Sequence, residues 1–542
     1  MTAAGEVDEL LRVLRDRDVR LTADGTRLSY DAPADALDAD LLAALRRLKP
    51  HLLDRLRAPA DPDGQMLATA ADGQVLATAP ASHCQARQYQ ITEESGTPVL
   101  TVALRFTLRG RLDRAALHRA LSDLAVRHPA LRTRYAERDG EVLQQVLTPR
   151  PVPVPVRPVA TEHLDRAVEE WASVPFALRR EPAFRAVLFQ PVDAPDGGEA
   201  EILDDGEGAA LDGGEPDRHE LVLALHHGII DGLAAQVLVR DLGELYRAAV
   251  TGHPADLPPL PADYLDFSRE EQAYLDHGDT RRMLREWAEG LPAGTVPLLL
   301  PTDRPRRPGV TDTGGVAQVV LPAGLVAEVA GYGVRRNATP YVVLAAAFAW
   351  FLHDLTGAPV VTLTIPVANR ADSRFDDVLG VFAQAAWLII PVAGAGSFDD
   401  LVRRTAEATW QVLARQAVPG LVQNAALGGA FAGNPPRIHF SMLDLPDPVL
   451  RLPGVEPAPG RDVLLAGARA NQTWQLRPRP DGTMSLLVEY AATLFDAGTV
   501  AGWLDRYQRL LPRLLATPER PLPRTGGPVP TPAGQATPAP AG

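Results

Sequence analysis

The chain contains one cysteine, Cys84, so an intramolecular disulfide and a thiolate zinc site are both excluded. Such low cysteine usage fits a reducing cytoplasm. Positive charge is also scarce: 54 basic against 68 acidic side chains leave a net charge of −14. That balance argues against a general binder of nucleic acid or of anionic membranes. No uninterrupted apolar run reaches the ~18 residues of a membrane span. The N-terminus, "MTAAGEVDELLRVLRDRDV", is charged within its first turns and has no signal-type apolar core. Solenoid repeats are absent as well. These absences predict a cytoplasmic protein with no nucleic-acid and no membrane partner.

What remains is ample. The chain has 542 residues, 46% of them hydrophobic, enough for about three to five domain-sized units. Residues 1–57 read as a small unit. "VDELLRVLRDR" carries apolar residues at helical spacing, and "VRLTADGTRLSYDAP" reads as a hairpin around Asp24-Gly25. "ALDADLLAALRRLKPHLLDRL" follows as a helix broken near Pro50. Residues 58–78 have little periodicity and several breakers, which predicts a linker. The body runs from 79 to 516. Inside it, residues 193–220 are acidic and Gly-rich and read as a solvated loop between two strands, "FRAVLF" and "LVLAL". The proline-dense "LLLPTDRPRRPG" excludes a long helix or a central strand, and marks a crossing between two halves. Residues 517–542 are rich in Pro, Ala, Gly and Thr and read as an extended tail.

The stretch that carries chemistry is "LVLALHHGIIDGLAAQVLVRDL", residues 221–242. A buried strand runs into His226 and His227, and an amphipathic helix begins near Asp231 and Gly232. Loops held by rigid flanking elements are where reactive groups are often placed. Neighbouring side chains on an extended backbone point to opposite faces, so one histidine can meet a cavity while the other packs. Asp231 is placed to cap the helix or to pair with a cation. Two buried, hydrogen-bonded structural histidines would give the same spacing. A metal site lacks a third ligand at a short interval.

"HHGIIDG" resembles the HHxxxDG signature of nonribosomal peptide synthetase condensation domains, and further segments follow in the family's order. "ASHCQARQYQ" resembles its opening segment through Ser82, Gln85 and Arg87. "VRHPALRTRYAE" is similar to its R-H-x-x-L-R-T-x-F stretch through Arg127, His128, Leu131, Arg132 and Thr133. "DYLDF", "LLLPTDRPRRP", "TIPVANR", "VLGVF" and "EYAATLFDAGTV" resemble later segments, so the likeness covers about 80–516. It implies an α/β fold of two chloramphenicol-acetyltransferase-like lobes in a V around a central tunnel, one spanning 79–260 and the other 261–516. The first 57 residues resemble a β-hairpin docking domain, with Arg27, Leu28 and Ser29 on the hairpin edge. The implied partner is an upstream acyl or peptidyl carrier protein whose C-terminal motif adds as an extra strand.

The reaction implied is attack by an amine or hydroxyl on a carrier-bound thioester. No cofactor would be bound; the phosphopantetheine arm comes from the carrier. The resemblance makes His227 the active-site residue, as base or as positioning group. It makes His226 structural and Asp231 a partner of Arg370, and it lets Gly232, which relieves crowding beside Asp231, admit a backbone amide to the developing oxyanion. Cys84 reads as packing. The chain also departs from the family. Leu233 and Ala234 follow the DG, Gln384 stands in place of an asparagine, the Q-x-x-P-F segment is not matched in "RQAVPGLVQNAAL", and Ala491 replaces an asparagine. These departures count against ordinary aminoacyl-carrier condensation. With no adenylation or carrier domain read after 516, the expectation leans toward a stand-alone enzyme that releases a chain onto a free acceptor. A monomer suffices, because the two lobes would form the tunnel within one chain. A recruitment module with a decayed site and an acyl-CoA-dependent acyltransferase are the competing readings.

Overall fold

The structure is a computed structural model that describes residues 20–24, 27–31, 41, 73–192, 218–305, 314–432, 438–463 and 472–523. The expected helices of residues 1–57 fall outside these residues, apart from position 41. So do the first part of the linker, residues 193–217 of the acidic loop, and the tail from 524 onward. The chain divides into two units, Met1–Asp72 and Gly73–Gly542. In the first unit, β1 (Arg20–Asp24) and β2 (Arg27–Asp31) form an antiparallel hairpin that pairs Arg27 with Asp24.

The second unit opens with β3 (Val75–Pro80), α1 (His83–Ser95), β4 (Thr101–Arg109) and α2 (Arg114–Arg127). Then come β5 (Thr133–Arg138), β6 (Glu141–Leu147), β7 (Val156–Ala160), α3 (Leu164–Ala172) and β8 (Phe184–Val192). After the acidic segment follow β9 (Arg218–His226), α4 (Gly232–Thr251), α5 (Tyr264–Asp276) and α6 (Gly278–Glu289). Strands β4, β9, β8 and β7 build a sheet with β9 inside it, and β3, β6 and β5 form a separate three-stranded sheet. Strand β9 is buried from His219 to His226, as a strand covered on both faces must be, which explains its unbroken "LVLAL".

The second lobe contains β10 (Gly314–Leu321), α7 (Ala323–Arg335), α8 (Pro340–Thr356), β11 (Val360–Val367) and β12 (Gln384–Pro391). It continues through α9 (Phe398–Ala414), α10 (Gly420–Leu427), β13 (Ile438–Met442), β14 (Val449–Leu450), β15 (Ala458–Pro459) and β16 (Arg461–Asp462). It closes with β17 (Gln472–Pro478), β18 (Met484–Ala491) and α11 (Ala497–Ala516). Six strands in the order β10-β18-β17-β13-β11-β12 make its sheet. Helix α8 is buried nearly all round, and its Phe348 stacks on Phe440 at 4.5 Å between ring centres. Such a helix is a core element. Among the described residues, no single helix is long and apolar enough to cross a membrane.

Three boundaries differ from the sequence reading. Residues 75–78, expected in the linker, lie in β3, which pairs with β6. Its small side chains, "VLATAP", carry too little hydrophobic contrast to show period two. The acidic loop stops short of Arg218–Glu220, which belong to β9. Glu220 is fully buried and accepts from Arg105 Nε at 2.9 Å and Thr107 Oγ1 at 3.0 Å. A buried carboxylate and a solvated one look alike in sequence, so Glu220 reads as part of the acidic loop until the strand is seen. The division at 260/261 is also crossed, because β16 pairs with β4 and extends the first lobe's sheet. Leu450, Leu452 and Ala458 enter the same core. Two-residue strands have no readable periodicity, so only the folded chain reveals this exchange.

Candidate functional site

The strand-to-helix junction after β9 carries the motif. His226 ends the strand opposite Thr101, and His227–Ile229 form one 3₁₀ turn. Asp231 then caps α4, its Oδ1 accepting from Ala234 N at 2.8 Å. The extended backbone at His226 separates the two imidazoles: His226 is buried, while His227 is half-buried.

The hydrogen bonds of His226 determine its tautomer. Its Nδ1 accepts from Gly228 N at 3.0 Å, so the ring proton sits on Nε2 and is donated to Thr92 Oγ1 at 2.8 Å. Thr92 in turn donates to the carbonyl of Gln88 at 3.0 Å. Burial, helped by the neighbouring His227, pushes the pKa of His226 down to about 3. The ring is therefore neutral and committed to holding the turn.

The turn is held from the other side as well. The carbonyl of Gly228 accepts from Tyr135 Oη at 3.1 Å and from Gln85 Nε2 at 3.3 Å. A Cβ on Gly228 would lie 2.8 Å from Tyr135 Oη and 2.9 Å from His226 Nδ1, so only glycine fits. Gly232 is less confined: its Cβ would meet only Leu445 Cδ1, at 3.3 Å. Gln85 completes a capping box with Ser82 at the start of α1. Ser82 Oγ bonds Tyr264 Oη at 2.9 Å, and Tyr264 donates to Val381 O at 2.8 Å. This chain of contacts ties α1, α5 and the loop before β12 to the histidine turn.

Asp231 is bound mainly by backbone. Its Oδ2 accepts from the amides of Phe382 at 2.9 Å and Ala383 at 3.0 Å. Arg370 does reach Asp231, but at 3.5 Å, and both side chains are buried. Arg370 spends its other donors on the carbonyls of Phe375 and Val378, and its guanidinium carbon lies 3.9 Å from the Phe382 ring centre. Burial lowers the pKa of Arg370, partly offset by Asp231. The pairing inferred from resemblance is thus one weak member of a larger joint between the lobes.

Other motif segments act as scaffold. Arg127 Nε and His128 Nε2 both bond Asp241 Oδ2 at 2.8 Å and dock the end of α2 onto α4. Cys84 packs against the Phe267–Phe382 cluster, and burial pushes its thiol up to about 12, far from a nucleophile's range. The unmatched Q-x-x-P-F segment needs correcting. Gln416 and Pro419 keep their places, and only the aromatic is replaced, by Gly420. A Cβ there would lie 2.4 Å from Ala385 O, so no larger residue fits. The sequence reading assigned no role to Thr92 or Tyr135. Tyr135 had a visible signal, since it stands where the resembled stretch has phenylalanine. Thr92 had none, because its partner lies 134 positions away. Among the described residues, no group of three or more His, Cys, Asp or Glu is arranged to hold a metal.

Comparison with known proteins agrees with this fold. The family model described as condensation domain matches residues 75–194 and 209–425. The TubC N-terminal docking domain matches residues 7–57. Phosphinothricin tripeptide synthetase PhsC of Streptomyces viridochromogenes is 30% identical over 479 residues, covering 86% of this chain and 41% of PhsC. The chain therefore spans less than half of that relative. The X-domain from teicoplanin biosynthesis superposes with a TM-score of 0.71 at 23% identity, over 84% of this chain and 99% of that one. The first condensation domain of the calcium-dependent antibiotic synthetase, solved with a substrate analogue, gives 0.65 at 20%, over 83% and 98%. At such identities, these two likenesses speak to the fold.

Proposed function

The chain belongs to the condensation-domain family, and from that premise we propose that it transfers a carrier-bound acyl group to an amine or hydroxyl acceptor through His227. One observation carries the reading. Of the three ionisable groups in "HHGIIDG", His226 and Asp231 are buried and spent on the scaffold, whereas His227 is half-buried at the start of a braced turn. A side chain rooted in a braced backbone and only partly covered is what general base catalysis needs.

In this scheme the acceptor's nitrogen or oxygen attacks the thioester carbonyl carbon while His227 takes the departing proton. The tetrahedral adduct collapses with loss of the carbon–sulfur bond, and the imidazolium returns the proton to the leaving thiolate. The products are the amide or ester and the free pantetheine thiol on the carrier. The arm is the partner's, and this chain supplies orientation and proton handling. Asp231 and Arg370 act by holding the lobes together; Gly232 has an undemanding steric role. Donor delivery fits the N-terminal unit. There, Arg27, Leu28 and Ser29 sit on β2, and a carrier protein's terminal segment would add beside that two-stranded hairpin.

The acceptor is proposed to be a free small molecule, with a carrier-bound one as the alternative. The test is intact-product mass spectrometry with an acyl-pantetheine thioester, free and carrier-bound, against amines, amino acids and alcohols. The wild type should form a new amide or ester, and His227→Ala should lose about 10²–10⁴-fold in rate. Equal behaviour of the two proteins with the cognate loaded carrier would overturn the catalytic reading in favour of a recruitment module. Turnover of free acyl-CoA at the carrier's rate would favour the acyl-CoA reading.

A further inference from the structure

A half-open cavity of about 410 Å³ lies in the second lobe between α6, β12 and α9. Small-molecule sites span roughly 300–1,000 Å³. Trp387, Ile389 and Pro391 of β12 form its apolar wall. They alternate along the strand with Leu388 and Ile390, which enter the main core, so the cavity occupies the sheet's opposite face.

Arg415, at the C-terminal cap of α9, lines the cavity, and its guanidinium carbon lies 4.6 Å from the centre of the Trp287 ring. Its Nε is buried with no hydrogen-bond partner among the described residues. Burial pushes its pKa down to about 10. The helix C-terminus and the tryptophan face explain why a cation stands here. They do not explain a buried guanidinium N–H with nothing to accept it, which is costly. Arg404, on the same wall, is different: it donates to the carbonyls of Pro391, Ala393 and Gly394 and pairs with Asp400. The cavity therefore sets Arg415, without the hydrogen bonds that hold Arg404, beside the apolar wall of β12.

We propose that this cavity binds a small aromatic monocarboxylate, its carboxylate on the Arg415 fork and its ring against Trp387 and Ile389. A carboxylate matches the guanidinium geometry. Glu286 and Glu407 also line the cavity and disfavour multiply charged anions. The site is separate from the histidine turn and adds a second ligand to this chain.

The experiment is fluorine NMR on the full chain titrated with 4-fluorobenzoate, with neutral 4-fluorobenzamide as the control. Saturable binding is expected for the benzoate alone, without competition from inorganic phosphate. Arg415→Gln should weaken it by about tenfold or more. Gln411→Trp, at an exposed position lining the cavity, should weaken it too while leaving Arg415 in place, which covers a misfolded Arg415 variant. His227→Ala should bind like the wild type. The proposal fails if the wild type shows no saturable binding, if the benzamide binds equally, or if phosphate competes. It also fails if both cavity variants bind normally, or if His227→Ala abolishes binding and so places the acid in the reaction site.

Discussion

The two lobes hold themselves together by different means. The first buries charge: Asp241 is fully buried among Arg127, His128 and Arg240, and Glu220 among Arg105 and Arg218. The second buries aromatic rings: Phe348 packs on Phe440, Trp474 and Tyr507. Buried charge tolerates no missing partner, whereas an aromatic core responds to lost volume. The histidine turn grows from the charge-braced lobe and is clamped by backbone amides of the other. The first lobe should therefore decide how the site responds to acid.

The largest effect is expected where the two systems meet. Asp231→Ala removes the cap of α4, leaves the amides of Phe382 and Ala383 without their acceptor, and strips the buried Arg370 of its counter-charge while its bonds to the Phe375 and Val378 carbonyls remain. A loss of about 3–5 kcal/mol in denaturant unfolding is expected, with loss of condensation. A change below about 1 kcal/mol would show that the lobes do not depend on this joint.

Next come matched cuts in each lobe. Asp241→Asn and Phe348→Ala should each cost about 3–5 kcal/mol by urea titration, one through stranded charge and one through a cavity. Acid separates the lobes. Burial alone would raise the Asp241 pKa, but hydrogen bonds from His128, Arg127 and Arg240 bring it below its usual value. Its contribution is present above its unfolded pKa of roughly 3.9 and is lost as pH falls through the lower folded value.

His128 is held below its usual pKa by burial, partly offset by Asp241, and His226 is held at about 3. Unfolded histidines bind protons below roughly 6.5, so these sites lose stability as pH drops from there. For His226 the slope approaches ~1.4 kcal/mol per pH unit until its folded pKa is reached. Stability followed from pH 7 to about 4 should fall more gently in His226→Asn than in the wild type. Phe348→Ala should keep the wild-type slope. An unchanged slope in His226→Asn would contradict a His226 ring held neutral by burial.

Smaller effects sharpen the contrast. Gly420→Ala should cost about 1–3 kcal/mol, since its Cβ meets Ala385 O. Arg403→Ala breaks exposed pairs with Asp400 and Glu407 and should stay within about 0.5 kcal/mol.

Much of this protein was legible in the linear chain because its signals are local. The run "LVLAL" leading into His226, the cap at Asp231 and the hairpin that pairs Asp24 with Arg27 each depend on neighbours within a few positions. Periodicity and capping chemistry report such features directly. Tertiary structure decided the rest. It separated His226 from His227 by burying His226 against Thr92 and leaving His227 half-buried. It also exchanged Arg370 for two backbone amides as the main support of Asp231, drew β16 onto the other lobe, and left Arg415 over a cavity. Each of those outcomes joins residues far apart in sequence. A side chain's type announces what it can bond, but only the closed fold determines which partner comes within reach.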